Sequence, residues 1–176
     1  MNIQLTRTRN TDLDVPVSDY TITGLRTTRG REGTGFTGTL KRGKTVLGEV
    51  EDWGDGGGTW LRGNPGPAEQ ALLDAWVAAH PPLTGFTGEP MDYSLDLALG
   101  MLAEDIMMGR ELSRKAKKHT IFVLPGEQPS DGYRALTGGP VSPGSLAYLS
   151  EKFPGQAVRV WTADRGWVPA DTAVMA

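Results

Sequence analysis

Residues 19–60 read DYTITGLRTTRGREGTGFTGTLKRGKTVLGEVEDWGDGGGTW, and the fold class turns on this stretch. Tyr20, Ile22 and Gly24 alternate with Thr21, Thr23 and Leu25. Phe36, Gly38 and Leu40 alternate with Thr37, Thr39 and Lys41, and Val46, Gly48 and Val50 with Leu47, Glu49 and Glu51. Period-two alternation rich in Thr, Val, Ile and aromatics is a strand signal. Arg42-Gly43 supplies a tight turn, because glycine enters positive φ without a Cβ penalty. A longer loop over residues 27–34 joins the first two runs. The stretch therefore predicts a three-stranded antiparallel meander that ends in a glycine-rich loop. Gly24, Gly38 and Gly48 are expected to line one face of it, where a helix or a ligand comes close.

A meander places the 27–34 and 52–58 loops at one end. Arg26, Arg29 and Arg31 then share an end with Glu51, Asp52 and Asp55, while Lys41, Arg42 and Lys44 lie at the other. Arginine side chains beside glycine amides are the chemistry of an anion site. Arg26, Arg29, Arg31, Asp52, Asp55, Gly56, Gly57 and Gly58 are accordingly candidates for a small anionic ligand such as a nucleotide. The competing and favoured expectation is that the two loops neutralise each other. The glycine run is not a phosphate loop, since no Lys-Ser/Thr follows and a strand, not a helix, comes next. Nor does it open a Rossmann helix or place oxygen ligands at EF-hand spacing.

Outward from this stretch the pattern turns helical. Leu72, Leu73, Trp76 and Val77 give an apolar face to a helix over 68–79, which His80-Pro81-Pro82 stops. Residues 83–90 read as a loop. A long helix is expected over 92–118, with a core stripe of Leu95, Leu99, Leu102 and Ile106 continued by Met108 and Leu112. Met101, Met107 and Met108 are expected to fill core. Strands are expected at 120–124, 133–136 and 157–161, with a last one near Trp167-Val168. Ser142-Pro143 opens a short helix whose buried face is Leu146, Leu149 and Phe153. Residues 1–18 read as an arm or edge strand built on Ile3, Leu5 and 13–17, residues 19–168 as a single domain, and residues 169–176 as a frayed tail. The sum is an α+β fold: one antiparallel sheet, made of the meander and the C-terminal strands, packed against one long and two shorter helices.

Charge is unevenly distributed. Residues 65–109 carry seven Asp/Glu and no Lys or Arg, whereas residues 110–134 carry six Lys/Arg and three Asp/Glu, so a basic cluster follows directly on an acidic helix. Arg110, Arg114, Lys115, Lys117 and Lys118 are candidates for contact with nucleic acid or a protein partner. Cations at a helix C-terminus are also expected from the macrodipole alone, and no aromatic residues interleave with them.

Other chemistry is thin. The chain has no cysteine, which excludes disulfides, thiolate nucleophiles and Cys-based metal sites. Two histidines, His80 and His119, make no HExxH and no defensible Ser-His-Asp order. His80 is expected as a helix-terminal residue. Glu49 and Glu51 fall on one strand face and read as a solvated pair. The balance is against catalysis, and no metal or cofactor is expected. With no signal-peptide core and no apolar run long enough for a membrane span, the expected location is the cytoplasm.

Two stretches carry a resemblance. YTITGLRTTRGREGTGFTGTLKRGKTVLGEVEDWGDGGG, residues 20–58, resembles the N-terminal hairpins of small uncharacterised accessory proteins of bacteriophages and mobile elements. KKHTIFVLPGEQPSDGYRALTGGPVSPGSLAYLSEKFPG, residues 117–155, resembles their C-terminal part. Together they cover somewhat under half of the chain. The resemblance implies a phage or mobile-element setting and no reaction, and it brings no active site to carry over. The function expected is that of a non-enzymatic accessory protein that binds a host or defence protein, through the basic C-terminal surface or the Arg/Gly loop end. The alternatives are a nucleic-acid binder and a binder of a small anion.

Overall fold

The computed structural model describes residues 4–84 and 88–173, so Ile3, Phe86 and the last three residues lie outside the description. The chain folds as two compact units. Residues up to Thr6 join Asp14–Glu104 in the first, and Arg7–Leu13 join the chain from Asp105 onward in the second.

The N-terminal residues pair as a two-stranded ribbon, β1 (Leu5–Arg7) with β2 (Asp14–Pro16). The alternating stretch gives β3 (Tyr20–Arg29), β4 (Thr34–Arg42) and β5 (Thr45–Asp52), and β6 (Trp60–Arg62) adds a fourth strand beside β5. All neighbours are antiparallel. The meander is thus present, with Gly43 at φ +57° in the two-residue turn that joins β4 to β5. Tyr20, Ile22, Leu25, Phe36, Leu40, Leu47 and Val50 are buried, which fixes the core side of the sheet.

The strand glycines do other work than expected. Gly24 sits at φ +64° where the β3–β4 register shifts, with open space where a Cβ would point. A Cβ on Gly38 would lie 2.5 Å from Ile22 Cγ2, and one on Gly48 would lie 2.6 Å from the Arg62 carbonyl oxygen. The sheet's own side chains and backbone fill the space, so these glycines do not make one open face.

Helix α1 (Pro67–Ala78) lies against this sheet: the rings of Tyr20 and Trp76 are 4.8 Å apart, and Arg42 Nε donates to Glu69 Oε2 at 2.8 Å. Its buried face is Leu73 and Trp76. Leu72, expected to be buried, is exposed, because the inward stripe runs through 73, 76 and 80. The expected 83–90 loop holds a short ribbon, β7 (Leu83–Thr84) with β8 (Pro90–Met91). Helix α2 (Leu95–Lys115) is the long helix of the sequence pattern; Ala98, Leu99, Ala103 and Leu112 are its fully buried residues. Its first half belongs to the first unit and its second half to the second.

The second unit has its own sheet, of β9 (His119–Val123), β10 (Arg134–Thr137), β11 (Arg159–Thr162) and β12 (Gly166–Pro169), in the order β10-β9-β11-β12 and antiparallel throughout. Helix α3 (Pro143–Lys152) falls between β10 and β11 in the chain. Ile121 and Trp161 pack with Leu112 of α2 on one face, and Phe122 and Val160 pack with Leu149 of α3 on the other. A strand covered on both faces reads as a continuous apolar run, which is why the β9 region shows no alternation. The α+β class holds, but the expected single sheet is corrected: the N-terminal and C-terminal strands form separate four-stranded sheets, and the second has helices on both faces. Nor is the C-terminus frayed at 169: β12 runs to Pro169, a 3₁₀ turn follows over Ala170–Thr172, and Ala173 is buried.

Candidate functional sites

The two loops at one end of the first sheet meet as the meander requires. Glu32 N donates to the Gly54 carbonyl at 2.8 Å, and Gly30 lies so close to the 53–54 backbone that a Cβ there has no room. The glycine loop is braced from within. Asp52 Oδ1 accepts from Gly54 N at 2.7 Å, and its Oδ2 accepts from Thr59 Oγ1 at 3.2 Å. Asp55 Oδ1 accepts from Gly57 N at 3.2 Å. Both aspartates hold turns, and they take up amides that an anion would need. Arg31 pairs with Glu32 at 3.0 Å, and the Glu32 carboxylate lies against Gly56. Arg26 and Arg29 are exposed. Gly58 lies against Asp96 of α2, 3.0 Å from where its Cβ would be. The candidate residues of this end are therefore gathered in space, with the loop's own carboxylates beside its amides.

The same end carries two exposed tryptophans. Trp53 lies in the loop and Trp60 follows it, and they are 59% and 61% exposed. In the strand ladder Arg26 faces Thr37, Thr37 faces Glu51 and Glu51 faces Trp60, so these residues share the outer face of the sheet. Arg62 pairs with Glu51 beside them. Trp60 also borders an open cavity of about 500 Å³ lined with Leu61, Leu95 and Asp96. A tryptophan in an alternating strand is read as core by default, so its exposure has no sequence signal.

The basic end of α2 divides in two. Lys115 turns to Glu111, 2.7 Å away, and stands 4.7 Å over the Tyr133 ring, whose Oη donates to Glu111 Oε1 at 2.6 Å. The Lys115 hydrogen bond holds the Glu111 carboxyl below its usual range, and the same bond raises Lys115. Arg110, Arg114 and Lys117 instead line an open concavity of about 460 Å³, joined there by Arg9 from the other end of the chain. Lys118 is exposed and lies outside that lining. Arg9 carried no signal in sequence, because a hundred residues separate it from the helix it meets.

His80 is buried at the end of α1, with Nδ1 donating to the Trp76 carbonyl at 3.0 Å and the ring 4.9 Å from Trp76 and 4.6 Å from Tyr93. This is the helix-terminal role expected. Among the described residues no group of three or more His, Asp or Glu side chains is placed to hold a metal ion, and no helix is long and apolar enough to cross a membrane. Comparison with known proteins gave no match to a family model, a curated protein or a solved structure.

Proposed function

We propose that the protein is a non-enzymatic accessory protein of a bacteriophage or mobile element that acts in the cytoplasm by binding a host or defence protein. The setting is supported by the resemblance of residues 20–58 and 117–155. The mode of action is supported by one observation above others: Trp53, in the loop that Asp52 braces, and Trp60, at its end, are each more than half exposed. A tryptophan presents about 150–250 Å² of surface. Covering its exposed half is worth roughly 2–3 kcal/mol per ring at about 25 cal/mol per Å². Tryptophan and arginine are also the side chains that dominate binding energy at protein interfaces, and here Arg26 shares the face with Trp60. A rigid loop adds to affinity, because little order has to be imposed on binding. A small anion at the same end is the weaker reading, since Asp52 and Asp55 already bond the amides of Gly54 and Gly57.

The test is purification of the native protein from its host, followed by titration of any partner held at fixed stoichiometry. Trp53→Ala and Trp60→Ala are each expected to weaken that complex about 30-fold, the effect of a hot-spot residue worth about 2 kcal/mol. Both positions are exposed, so the circular dichroism spectrum should not change. A preparation with no stoichiometric host protein sinks the reading, and so does a complex that both variants leave intact.

A further inference from the structure

We propose that the concavity of the second unit binds the phosphodiester backbone of nucleic acid and does not read its bases. Its lining brings Arg9 together with Arg110, Arg114 and Lys117, all exposed residues. The last three stand at i, i+4 and i+7. Ala116 N still bonds the Leu112 carbonyl at 2.7 Å and Lys118 N the Lys115 carbonyl at 3.0 Å, so the helical path continues past Lys115. At about 1.5 Å per residue the stripe is roughly 10 Å long, the axial length of about three phosphate-to-phosphate steps of one strand. Arginine adds two-pronged donors that match phosphate oxygens.

The floor is fixed. Trp161 is 2% exposed, and its Nε1 donates to Asn10 Oδ1 at 3.3 Å. Asn10 is held in turn by Asp105, whose Oδ2 accepts from Asn10 Nδ2 at 3.0 Å. Arg9 is therefore carried on an anchored segment. With Trp161 buried, no aromatic face in the lining is offered for stacking, which is why the contact is to the backbone alone.

Asp105 and the end of α2 oppose an anion here, and neither prevails. Asp105 Oδ1 accepts from Asn10 N, Thr11 N and Thr11 Oγ1, at 2.9, 2.9 and 3.0 Å, so its charge is spread into donors on the floor. The carbonyl end of α2 contributes about half a negative charge, acting along the axis, whereas the full positive charges of Arg9, Arg114 and Lys117 lie beside it.

The experiment is fluorescence anisotropy of the full chain with a labelled duplex of mixed sequence, between about 50 and 200 mM KCl. Three phosphate contacts, or four where Arg110 exchanges its own partner for a phosphate, predict a slope of log K on log salt between about −2.7 and −3.6, a loss of about 40- to 150-fold over that range. Arg114→Gln with Lys117→Gln should make the slope shallower by about 1.8. Arg9→Gln alone should lower it by about one. Scrambling the duplex sequence should leave K unchanged. The proposal is overturned by no binding at the lowest salt, by a slope that the double variant leaves unchanged, or by a strong preference among sequences. Displacement of the duplex by inorganic phosphate or ATP at equal phosphate concentration would assign the concavity to a free phosphate and also overturn it.

Discussion

A single buried ring shows how local chemistry sets a pH limit on this fold. His80 is 7% exposed, and the carbonyl that its Nδ1 faces requires the proton on that nitrogen in the neutral ring. Burial pushes the imidazole below its ordinary value, against hydrogen bonds with the Trp76 and Val77 carbonyls that push it up. Asp74, Asp92 and Tyr93 line the cavity next to it, and the desolvation still dominates. Because the folded value lies below the unfolded one, the unfolded chain holds more protons between the two. The contribution of His80 is therefore complete above the ordinary histidine value near 6.5 and is lost as pH falls below it. Urea midpoints measured from about pH 7.5 down to 5.5 should fall, with a slope of at most about 1.4 kcal/mol per pH unit from this group. His80→Phe keeps a ring between Trp76 and Tyr93 but cannot titrate, so its midpoint should fall less steeply than the wild type's. Parallel curves for the two proteins would place the titration elsewhere.

At the scale of elements, what was legible is what depends on neighbours in sequence. The three long strands of the first sheet follow from alternation, and the long helix from its Leu95-to-Leu112 stripe. The Ser-Pro start of α3 follows from capping chemistry that is complete within four residues. There Ser142 Oγ accepts from Ser145 N at 3.2 Å and Ser145 Oγ accepts from Ser142 N at 2.9 Å, a reciprocal box with Pro143 behind the cap. Ser142→Ala removes one half of that box and should cost about 1 kcal/mol in chemical denaturation, and Ser142→Asp should recover most of it. An unchanged midpoint in Ser142→Ala would show that packing of Leu149 alone holds the helix. What was not legible is pairing at a distance. Nothing in the β9 run says that its partners are β10 and β11 and not the meander, because an apolar strand satisfies either sheet. Leu72 and Leu73 both fall in the apolar pattern of α1, and only the partner surface of the sheet selects Leu73 for burial. The loop-end candidates were legible as a group because antiparallel topology dictates which loops meet, whereas the exposure of Trp53 and Trp60 depends on what fails to cover them.

For the chain as a whole, the decisive contact is one that sequence cannot announce: a seven-residue stretch near the start lodges in the unit formed by the end. Asn10, Thr11 and Asp12 are buried polar residues in a segment that reads as a poorly patterned arm. Such a burial is tolerated only when the polar groups are satisfied. Asp105 accepts from both backbone amides and both side chains of Asn10 and Thr11. Asp12, at φ +59°, pairs with Arg7 at 3.0 Å and with Arg159. The Asn10 carbonyl accepts from Trp167 Nε1 at 2.6 Å. A boundary that runs through one continuous helix, together with an insertion this short, leaves no linker for composition to reveal. The clasp is testable. Asp105→Ala leaves two amides and two side chains without their acceptor, and hydrogen bonds to a charged group are worth about 1.5–3 kcal/mol each and are not additive. A loss of about 3 kcal/mol or more is expected, with Asp105→Asn intermediate because one acceptor oxygen remains. The diagnostic readout is local. Amide exchange at Asn10, Thr11 and Leu13 should accelerate well before that of the β9 amides, as in opening of a separate cooperative segment. Trp161 and Trp167, which both donate to Asn10, should shift in fluorescence over the same range. Because Arg9 rides on this segment, Asp105→Ala should also lower the salt slope of duplex binding by about one, as Arg9→Gln does. If exchange at residues 10–13 instead keeps pace with the sheet in Asp105→Ala, the segment is held by its ion pairs at Asp12, and the carboxylate at 105 is not the clasp.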